Sequence, residues 1–382
     1  MKQQTEIKLS EIGRIPEEWE ESKIGDCIEL IYGKSLPERQ RKKGNIPVFG
    51  SNGIIGFHDE AIVKCPGIII GRKGSVGEIT FSKQDFWPID TTYYVQTKQG
   101  NDTEFWYYFL KTLMLNQMNT HSAVPGLNRD NVYEIVRAIP NFIEQLAIAS
   151  ILVSLDDKIA LNRQMNTTLE AIGQVLFKHW FVDFEFPDGE GKPYRSSGGE
   201  MVETELGEVP RGWKVMTVGE ILELAYGKPL KDENRLKGKV PVYGSNGQIG
   251  WHNEKLVEGP GIVVGRKGNP GIVTWSHKAF FPIDTTFYVV PKNIRSMYYL
   301  FYILLLQDLQ SLGADSAVPG LNRNVVYMNK MVIPSPNVLE LFDIYLREIY
   351  NKVQVSNEES EILTAIRDAL LPKLMSGEIR VK

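Results

Sequence analysis

PIDTTYYV at residues 88–95 returns as PIDTTFYV at residues 282–289, and this recurrence decides how the chain is built. The same offset of 194 residues relates four more pairs of strings. They are GRKGSVG (71–77) with GRKGNPG (265–271), VFGSNG (48–53) with VYGSNG (242–247), SAVPGLNRDNVY (122–133) with SAVPGLNRNVVY (316–327), and RIPEEW with EVPRGW, which end at Trp19 and Trp213. A repeat of this length is a whole domain, because solenoid units span about 20–50 residues. The chain is therefore predicted to be an internal duplication of two similar domains.

Composition limits the classes of protein that the chain can belong to. The 382 residues are 42% hydrophobic and 24% charged, which is ordinary for globular domains. A formal net charge of −4 excludes a uniformly basic nucleic-acid coat, so any nucleic-acid binding must come from local patches. Two cysteines, no apolar run of about 18 residues and no apolar leader predict a cytoplasmic protein that does not enter a membrane.

Retention between the two copies filters the candidate chemical groups. Cys27 corresponds to Ile221 and Cys65 to Gly259, so a shared thiol, zinc or disulfide role is not expected. Only one histidine, His58 with its equivalent His252, occurs in both copies. We interpret that pair as hydrogen-bonded structural residues rather than as catalytic bases.

The pattern of each copy is typical of an α+β fold. Short apolar runs between glycines predict strands over 12–100, and aromatic-rich segments predict helices over Glu104–Asn119 and Met297–Gln310. Short strands that end in Ile-Pro, at 139–140 and 333–334, are expected to follow.

A long helix is predicted after each copy, with the 4-3 spacing of a coiled-coil seam. In the first helix the seam is predicted at Ile151, Leu155, Lys158, Asn162, Met165, Leu169, Ile172 and Leu176. In the second it is predicted at the equivalents Tyr345, Ile349, Lys352, Ser356, Glu359, Leu363, Ile366 and Leu370. Matched seams with polar centres favour antiparallel packing of the two helices about a pseudo-twofold axis over two unrelated surface helices.

These patterns divide the chain into five parts. They are a first globular domain (1–142), a first helix (143–184), a linker (185–204), a second globular domain (205–336) and a second helix (337–382). The linker is rich in Pro, Gly and Ser and is expected to be exposed. Its Pro187, Asp188, Glu190 and Lys192 resemble a nuclease motif only superficially, because the carboxylates lie too close together in a glycine-rich stretch.

Three loop sets in each copy are candidates for DNA contact, and an Asn-Arg pair near the start of a helix is a further candidate. In the first copy the residues are Lys34, Arg41, Lys42, Ser51, Asn52, Arg72, Lys73, Asn128 and Arg129. In the second copy they are Lys228, Arg235, Lys237, Ser245, Asn246, Arg266, Lys267, Asn322 and Arg323. Lysines and arginines neutralise phosphates, Arg can pair with guanine, and Asn with adenine. A solvated basic loop and a tight hairpin with a left-handed Asn remain open as alternatives for the first two sets.

Motifs for catalysis are absent from the sequence. It contains no GxxxxGK[ST] phosphate loop, no GxSxG, no HExxH, no NPPY-type methyltransferase motif and no zinc-finger spacing. No catalytic residue, cofactor site or metal site is therefore predicted in this chain.

Taken together, GSNGIIGFH, GRKGSVG, DTTYYV, SAVPGLNRDNV and EQLAIASILVSLDDKI resemble the specificity (S) subunits of type I restriction–modification enzymes. The resemblance implies two target recognition domains separated by two long antiparallel helices, and a non-catalytic subunit that reads a bipartite site on double-stranded DNA. It also implies two methyltransferase (M) subunits as partners and restriction/translocase (R) subunits in the complex. S-adenosylmethionine, ATP and magnesium would be bound by those partners.

The two copies are more alike than recognition domains of that family usually are. We therefore expect a near-palindromic site with two similar, inverted half-sites. Differences between the half-sites are expected to follow exchanged loop residues such as Gln40/Asn234, Lys42/Leu236, Ile54/Gln248 and Ser75/Asn269. Two alternatives are a symmetric protein-binding scaffold without base reading and a self-sufficient DNA-modifying enzyme.

Overall fold

The structure of the protein is a computed structural model that describes residues 7–118, 126–313 and 320–381. It divides into two compact units, Met1–Leu161 with Glu359–Lys382, and Asn162–Glu358. Each unit thus contains one copy of the repeat together with parts of both long helices. The predicted domain boundaries at the ends of the helices differ from this division, because each helix contributes its two halves to different hydrophobic cores.

In the residues of the first unit that the structure describes, eleven strands and short helices precede the long helix. The strands are β1 (Ile7–Ser10), β2 (Gly13–Pro16), β3 (Glu20–Lys23), β4 (Ile28–Tyr32), β5 (Ile46–Gly50), β6 (Gly53–His58), β7 (Gly67–Gly71), β8 (Ile79–Ser82), β9 (Trp87–Pro88), β10 (Thr92–Thr97) and β11 (Val136–Ile139). The helices are α1 (Ile24–Cys27), α2 (Thr103–Lys111), α3 (Arg129–Tyr133) and α4 (Phe142–Phe177), the last of which continues into the second unit.

A four-stranded antiparallel sheet, in the order β4-β10-β7-β8, forms the centre of the first unit. Its strand β7, GIIIG, is buried along its whole length, which explains why that segment is uniformly apolar rather than alternating. A second sheet has the order β6-β5-β9, with β5 antiparallel to β6 and parallel to β9. Trp19, Trp106 and Phe105 are fully buried in the core beside the central sheet.

The second unit repeats this arrangement. Its strands are β12 (Met201–Thr204), β13 (Gly207–Pro210), β14 (Lys214–Thr217), β15 (Leu222–Tyr226), β16 (Val240–Gly244), β17 (Gly247–His252), β18 (Gly261–Gly265), β19 (Val273–Ser276), β20 (Phe281–Pro282), β21 (Thr286–Pro291) and β22 (Lys330–Ile333). Its helices are α5 (Val218–Ile221), α6 (Met297–Leu306), α7 (Arg323–Met328) and α8 (Pro336–Met375), the last of which continues into the first unit. The sheets β15-β21-β18-β19 and β17-β16-β20 have the same order and directions as those of the first unit.

The α+β prediction and the duplication are confirmed, but the two aromatic helices are shorter than predicted. α2 begins after an Asp102 cap and α6 after a Ser296 cap, and both end well before the predicted termini. Met114 and Asp308 adopt left-handed backbone conformations just beyond these ends. A left-handed residue cannot continue a right-handed helix, so the apolar pattern runs on after the helical backbone has stopped.

In the first unit, the N-terminal part of α4 packs antiparallel to the C-terminal part of α8. The Arg367 guanidinium donates to Asp156 over 2.6 Å, and the Lys158 ammonium lies 3.1 Å from the Glu359 carboxylate. Ile148 and Leu152 are fully buried and share one core with Leu374.

In the second unit, the remaining parts of the same two helices meet through polar side chains. The Asn162 amide donates to the Ser356 carbonyl, and the Ser356 hydroxyl donates to the Asn162 carbonyl, each over 3.4 Å. These two residues are equivalent positions of the repeat, and each donates a hydrogen bond to the backbone carbonyl of the other. The predicted polar centre of the seam is confirmed at both residues, which are buried.

Half of the predicted seam positions are wrong by one residue. The buried residues are Leu152, Ile159, Asn166 and Gly173, rather than the predicted Ile151, Lys158, Met165 and Ile172. The same shift occurs in α8, where Leu346 and Val353 are buried instead of Tyr345 and Lys352. At positions 165 and 172 the prediction preferred the larger apolar side chain, whereas at positions 158 and 352 it kept a 4-3 spacing that placed a lysine in the seam instead of the neighbouring Ile159 or Val353. Gly173, however, is the position at which Tyr302 packs so closely that a side chain would overlap it.

Most of the segment predicted as an exposed linker is exposed, as expected, but its aromatic residues anchor it in the second unit. Phe186 is buried and stacks on Trp213 and Tyr194, with ring centroids 5.0 and 4.6 Å away. Strand β12 then pairs with β13. The Pro, Gly and Ser content describes its turns correctly but conceals the aromatic residues that anchor it.

Candidate nucleic-acid interface

Two of the predicted contact loops converge with the segment that leads into α3. The Gly71–Gly74 loop follows β7, and the Leu127 amide donates to the Arg72 carbonyl over 3.0 Å. A side chain at Gly71 would overlap the Ser75 carbonyl and would lie 3.0 Å from the Ser51 carbonyl of the β5–β6 turn. Glycine is therefore required where these segments approach one another.

This convergence forms a basic cavity of about 580 Å³ in the first unit. Its lining residues are Tyr32, Arg72, Lys73, Tyr93, Gly126, Leu127, Asn128, Arg129 and Asp130. The Arg72 guanidinium donates from Nε and Nη2 to the Asp90 carbonyl, over 3.2 and 2.7 Å. That two-point attachment fixes the plane of the guanidinium at the edge of the cavity.

Both arginines of this cavity lie close to the ring of Tyr32. The guanidinium carbons of Arg72 and Arg129 lie 5.2 and 5.3 Å from the centroid of the Tyr32 ring, and the tyrosine is half exposed. The electron-rich ring face attracts each cation and so offsets part of their mutual repulsion. Two positive groups are thereby held together at the surface, where they can bind a phosphate or the acceptor edge of a base.

The second unit contains the same cavity, with a volume of about 310 Å³. It is lined by Tyr226, Arg266, Lys267, Phe287, Gly320, Leu321, Asn322, Arg323 and Asn324, which are the equivalents of the nine residues above. The Arg266 guanidinium again donates twice to a carbonyl, that of Asp284. Arg266 and Arg323 lie 5.2 and 4.7 Å from the Tyr226 ring centroid. Seven of the nine positions carry the same residue type in both cavities.

Eight predicted contact residues thus lie in the cavity walls: Arg72, Lys73, Asn128, Arg129, Arg266, Lys267, Asn322 and Arg323. The two asparagines also have a structural role. Asn128 Oδ1 accepts from the Asp130 amide over 2.8 Å, and Asn322 Oδ1 accepts from the Asn324 amide over 3.0 Å. The carbonyl end of each side chain is engaged as a helix cap, which leaves the amide NH₂ as the group available for a ligand.

The predicted Ser-Asn turns stand beside the cavities. Ser51 Oγ lies 3.1 Å from where a Gly74 side chain would begin, and Asn269 donates to Asn246 Oδ1 in the second unit. Each turn is a tight hairpin, but the positive φ belongs to Gly53 and Gly247 rather than to the asparagines. Asn52 and Ser245 remain in the set of predicted contacts.

The basic loops are the part of the predicted set that the structure does not bring to the cavities. Arg41 Nη1 donates to the Ile55 carbonyl over 2.8 Å, and Arg235 Nη1 donates to the Ile249 carbonyl over 3.1 Å. The Arg235 side chain is only 15% exposed and pairs with Asp232. These hydrogen bonds hold the two arginines against the β5–β6 and β16–β17 hairpins. Their guanidinium groups therefore stabilise the hairpins and are not free in this structure to bind a phosphate.

The lysines of the basic loops are exposed, and two of them have neighbours of the same unit. Lys42 Nζ lies 3.6 Å from Asp59, and Lys34 Nζ lies 5.9 Å from the Trp87 ring centroid. Lys228 and Lys237 are exposed at the surface of the second unit. Their predicted contacts with phosphate stay predictions.

Two exposed aromatic features escaped the prediction. One is the pair Tyr32 and Tyr226 at the centre of the cavities. The other is Phe57 with its equivalent Trp251, 54% and 44% exposed on the hairpins that the arginines brace. Their retention as aromatic residues at the repeat offset was a signal in the sequence, but none of the four was among the candidate contact residues. Retention alone does not distinguish a buried ring from an exposed one.

The groups considered for chemistry have structural roles. His58 and His252 are buried, and each Nδ1 accepts a backbone N–H, from Lys42 and Leu236 respectively. Asp188 Oδ1 accepts the amides of Glu190 and Lys192, and these bonds lower the pKa of Asp188. The structural interpretation of the histidine pair is confirmed.

The described ranges, 7–118, 126–313 and 320–381, contain neither a cluster of metal-binding side chains nor a membrane-spanning helix. Within them, no three His, Cys, Asp or Glu side chains are grouped so that they could hold a metal ion. None of their helices is both long and apolar enough to cross a membrane.

Comparison with known proteins places these features in a family. Residues 16–171 and 210–340, about three quarters of the chain, match the type I restriction modification DNA specificity domain. The MjaIX specificity subunit of Methanocaldococcus jannaschii is 25% identical over 99% of this chain and 98% of its own length. The HindI specificity subunit of Haemophilus influenzae is 27% identical over 67% of this chain and 71% of its own length.

A solved structure shows the same fold. The S subunit of a type I restriction–modification system from M. genitalium superimposes with a TM-score of 0.64, at 20% identity, over 98% of both chains. Each matched segment contains one copy of the repeat, and the first also covers most of the long helix α4. The chain belongs to the type I restriction–modification DNA specificity family, and is a specificity subunit of that class.

Proposed function

We propose that this chain reads a bipartite DNA site, one half-site through each basic cavity, and does no chemistry itself. The observation that carries the proposal is that the same cavity occurs in both units. Its nine lining residues are at equivalent positions, and in both cavities two arginines lie on a tyrosine ring. An ordinary surface loop would not be expected to keep such a constellation in both copies. The relatives' names support the DNA specificity that the proposal assigns to these cavities.

The geometry favours direct contact with acceptor groups of DNA. A guanidinium that is already oriented by a backbone carbonyl loses little side-chain entropy when it meets a guanine edge or a phosphate. The similarity of the two cavities supports two similar half-sites. We propose that these half-sites are inverted relative to each other, so that the complete site is nearly palindromic.

The long helices are the proposed docking surface for two methyltransferase subunits. Leu161 and Val355 are 57% and 59% exposed, and Ile172 and Ile366 are 49% and 42% exposed. Both pairs are equivalent positions of the repeat. Large apolar side chains held at the surface in both copies are typical of a protein interface. S-adenosylmethionine, ATP and magnesium, together with the restriction subunits, are proposed to act in the assembled complex in the cytoplasm.

The test combines Arg72→Ala with Arg266→Ala and measures binding to the cognate duplex by the complete complex at several salt concentrations. Each lost Arg contact costs about 1–3 kcal/mol, so affinity should fall by at least about 30-fold. The matched control is Arg14→Ala with Arg211→Ala, which removes the same charge from exposed positions outside the cavities. Unchanged binding and site choice in the double variant of the cavities would contradict base reading through them and favour a protein scaffold.

The half-site prediction has its own measurement. Methylome sequencing of cells that carry the complete system should give two similar half-sites in inverted orientation. Two strongly dissimilar half-sites would contradict the prediction that the two similar copies of the repeat read similar sequences.

A further inference from the structure

The two cavities differ at only two of their nine positions. Tyr93 of the first unit is replaced by Phe287, and Asp130 is replaced by Asn324. The first exchange lies inside the cavity wall, where a ligand does not reach it, because Tyr93 and Phe287 are almost completely buried. The Tyr93 hydroxyl donates to the Leu127 carbonyl over 3.1 Å. The second exchange concerns a group that a ligand can reach, since the Asp130 side chain is 78% exposed.

Asp130 changes the chemistry of its cavity in two ways. Its carboxylate lies 3.8 Å from the Arg129 guanidinium and offsets part of the positive charge. An ionised carboxylate is also only a hydrogen-bond acceptor, whereas the Asn324 amide both donates and accepts. The first cavity therefore presents two arginines, a lysine and a carboxylate, and the second presents two arginines, a lysine and an amide.

We propose that Asp130 and Asn324 make the two half-sites differ at one base pair. Asp130 can accept from the amino group of cytosine, but repels the acceptor-rich edge of guanine. Asn324 can pair at two points with adenine, by accepting from N6 and donating to N7. We assign cytosine to the position read beside Arg129 and adenine to the equivalent position read beside Arg323. This assignment rests on the proposed function of the cavities.

The experiment exchanges the two residues one at a time, as Asp130→Asn and Asn324→Asp, in the full chain within its complete complex. Both substitutions preserve the size of the side chain, and both residues are exposed. The readouts are methylome sequencing and selection of bound duplexes from a randomised library. The control is Glu134→Gln, which also removes one carboxylate charge from the exposed surface just beyond α3 but lies outside the cavity.

Asp130→Asn should change the preferred base at one position of one half-site, by about tenfold or more, towards the base of the other half-site. Asn324→Asp should make the opposite change in the other half-site, and Glu134→Gln should change neither. Unaltered preferences in both variants, with modification still occurring at the original site, would overturn this assignment while leaving the proposed function intact. A wild-type complex that selects no sequence would instead overturn the proposed function.

Discussion

An equivalent tryptophan is held in different ways by the two units. Trp213 of the second unit lies under Phe186, which stacks on it at an interplanar angle of 25°. Trp19 of the first unit lies beneath Arg380, the equivalent of Phe186, whose guanidinium carbon is 5.9 Å from the ring centroid. Arg380 also pairs with Glu144 and Glu18, both at 2.6 Å.

The two copies have diverged more in the packing around this tryptophan than in the cavities. The cavities keep seven of nine residue types, whereas the tryptophan is covered by an aromatic stack in one unit and by an ion-pair cluster in the other. Packing tolerates such an exchange when volume is conserved and polar groups stay paired. A binding surface has less freedom, because its partner is constant. Substitutions in the packing around Trp19 or Trp213 should therefore change the stability of a unit without changing the residues of its cavity.

The largest effect is expected from Arg380→Ala, which breaks the support of the first unit. Glu144 is 5% exposed, and without Arg380 its carboxylate would keep only the indole N–H of Trp19 as a side-chain partner, over 3.0 Å. Removing one partner of a buried ion pair costs about 3–5 kcal/mol. Hydrogen exchange should speed up in the first unit, while the second unit stays protected.

A second variant separates charge from packing at that site. Arg380→Ala combined with Glu144→Gln should recover part of the lost stability, because the uncompensated charge is removed. Equal exchange rates in the single and double variants would show that Arg380 acts through its contact with Trp19 alone.

Phe186→Ala is the matching change in the second unit and should cost about 3 kcal/mol. The loss combines the transfer free energy of the ring with the cavity left between Trp213 and Tyr194. Urea denaturation followed by tryptophan fluorescence measures it, and Phe186→Leu should recover more than half. If both variants leave the denaturation midpoint unchanged, the segment between α4 and β12 is not an anchored part of the unit.

The two units also differ at His277 and its equivalent Lys83, and His277 makes the stability of the second unit depend on pH. His277 packs on Tyr350 with ring centroids 5.6 Å apart, and burial together with nearby Lys278 lowers the pKa of His277 to about 4. Its equivalent Lys83 instead pairs with Asp157. The unfolded chain takes up a proton on His277 below pH 6.5, and the folded chain does so only near pH 4. Stability is therefore complete above pH 6.5 and lost as the pH falls from 6.5 to 4.

At pH 5 the loss from this histidine should be about 2 kcal/mol relative to pH 7.5. The measurement is the difference between the wild-type chain and His277→Gln in free energy of unfolding at the two pH values. Other groups titrate equally in both chains and cancel. A difference that does not change with pH would mean that His277 is protonated in the folded unit as readily as in the unfolded chain.

The repeat predicted more of the fold than of the cavities. A constant offset implies two copies of one topology, and the strands that end at Ile139 and Ile333 follow directly from the pattern. Two of the missed seam positions, Asn166 and Gly173, are buried through specific partners, the Asn357 side chain and Tyr302. Hydrophobic periodicity contains no information about such partners.

The cavities depend on contacts between segments distant in the sequence. Arg72 and Arg129 were both candidates, and a backbone bond from the Leu127 amide to the Arg72 carbonyl joins the two segments whose arginines meet at one ring. That ring, Tyr32, lies at the end of a strand in which Ile28 and Leu30 are fully buried. The direction of a side chain at the end of a strand depends on the loops around it, and the repeat carries no information about loop geometry.

The smallest effect is expected from Tyr93→Phe, which gives the wall of the first cavity the residue of the second. The substitution deletes the hydrogen bond to the Leu127 carbonyl and should cost about 1 kcal/mol. Phe287→Tyr should restore a similar bond to Leu321 if the second wall has the same geometry. Because Tyr93 is buried, the preferred bases of the first half-site should be unchanged in Tyr93→Phe. A changed base preference would assign the difference between the half-sites to the shape of the wall, and Asp130 would lose its role as the discriminating residue.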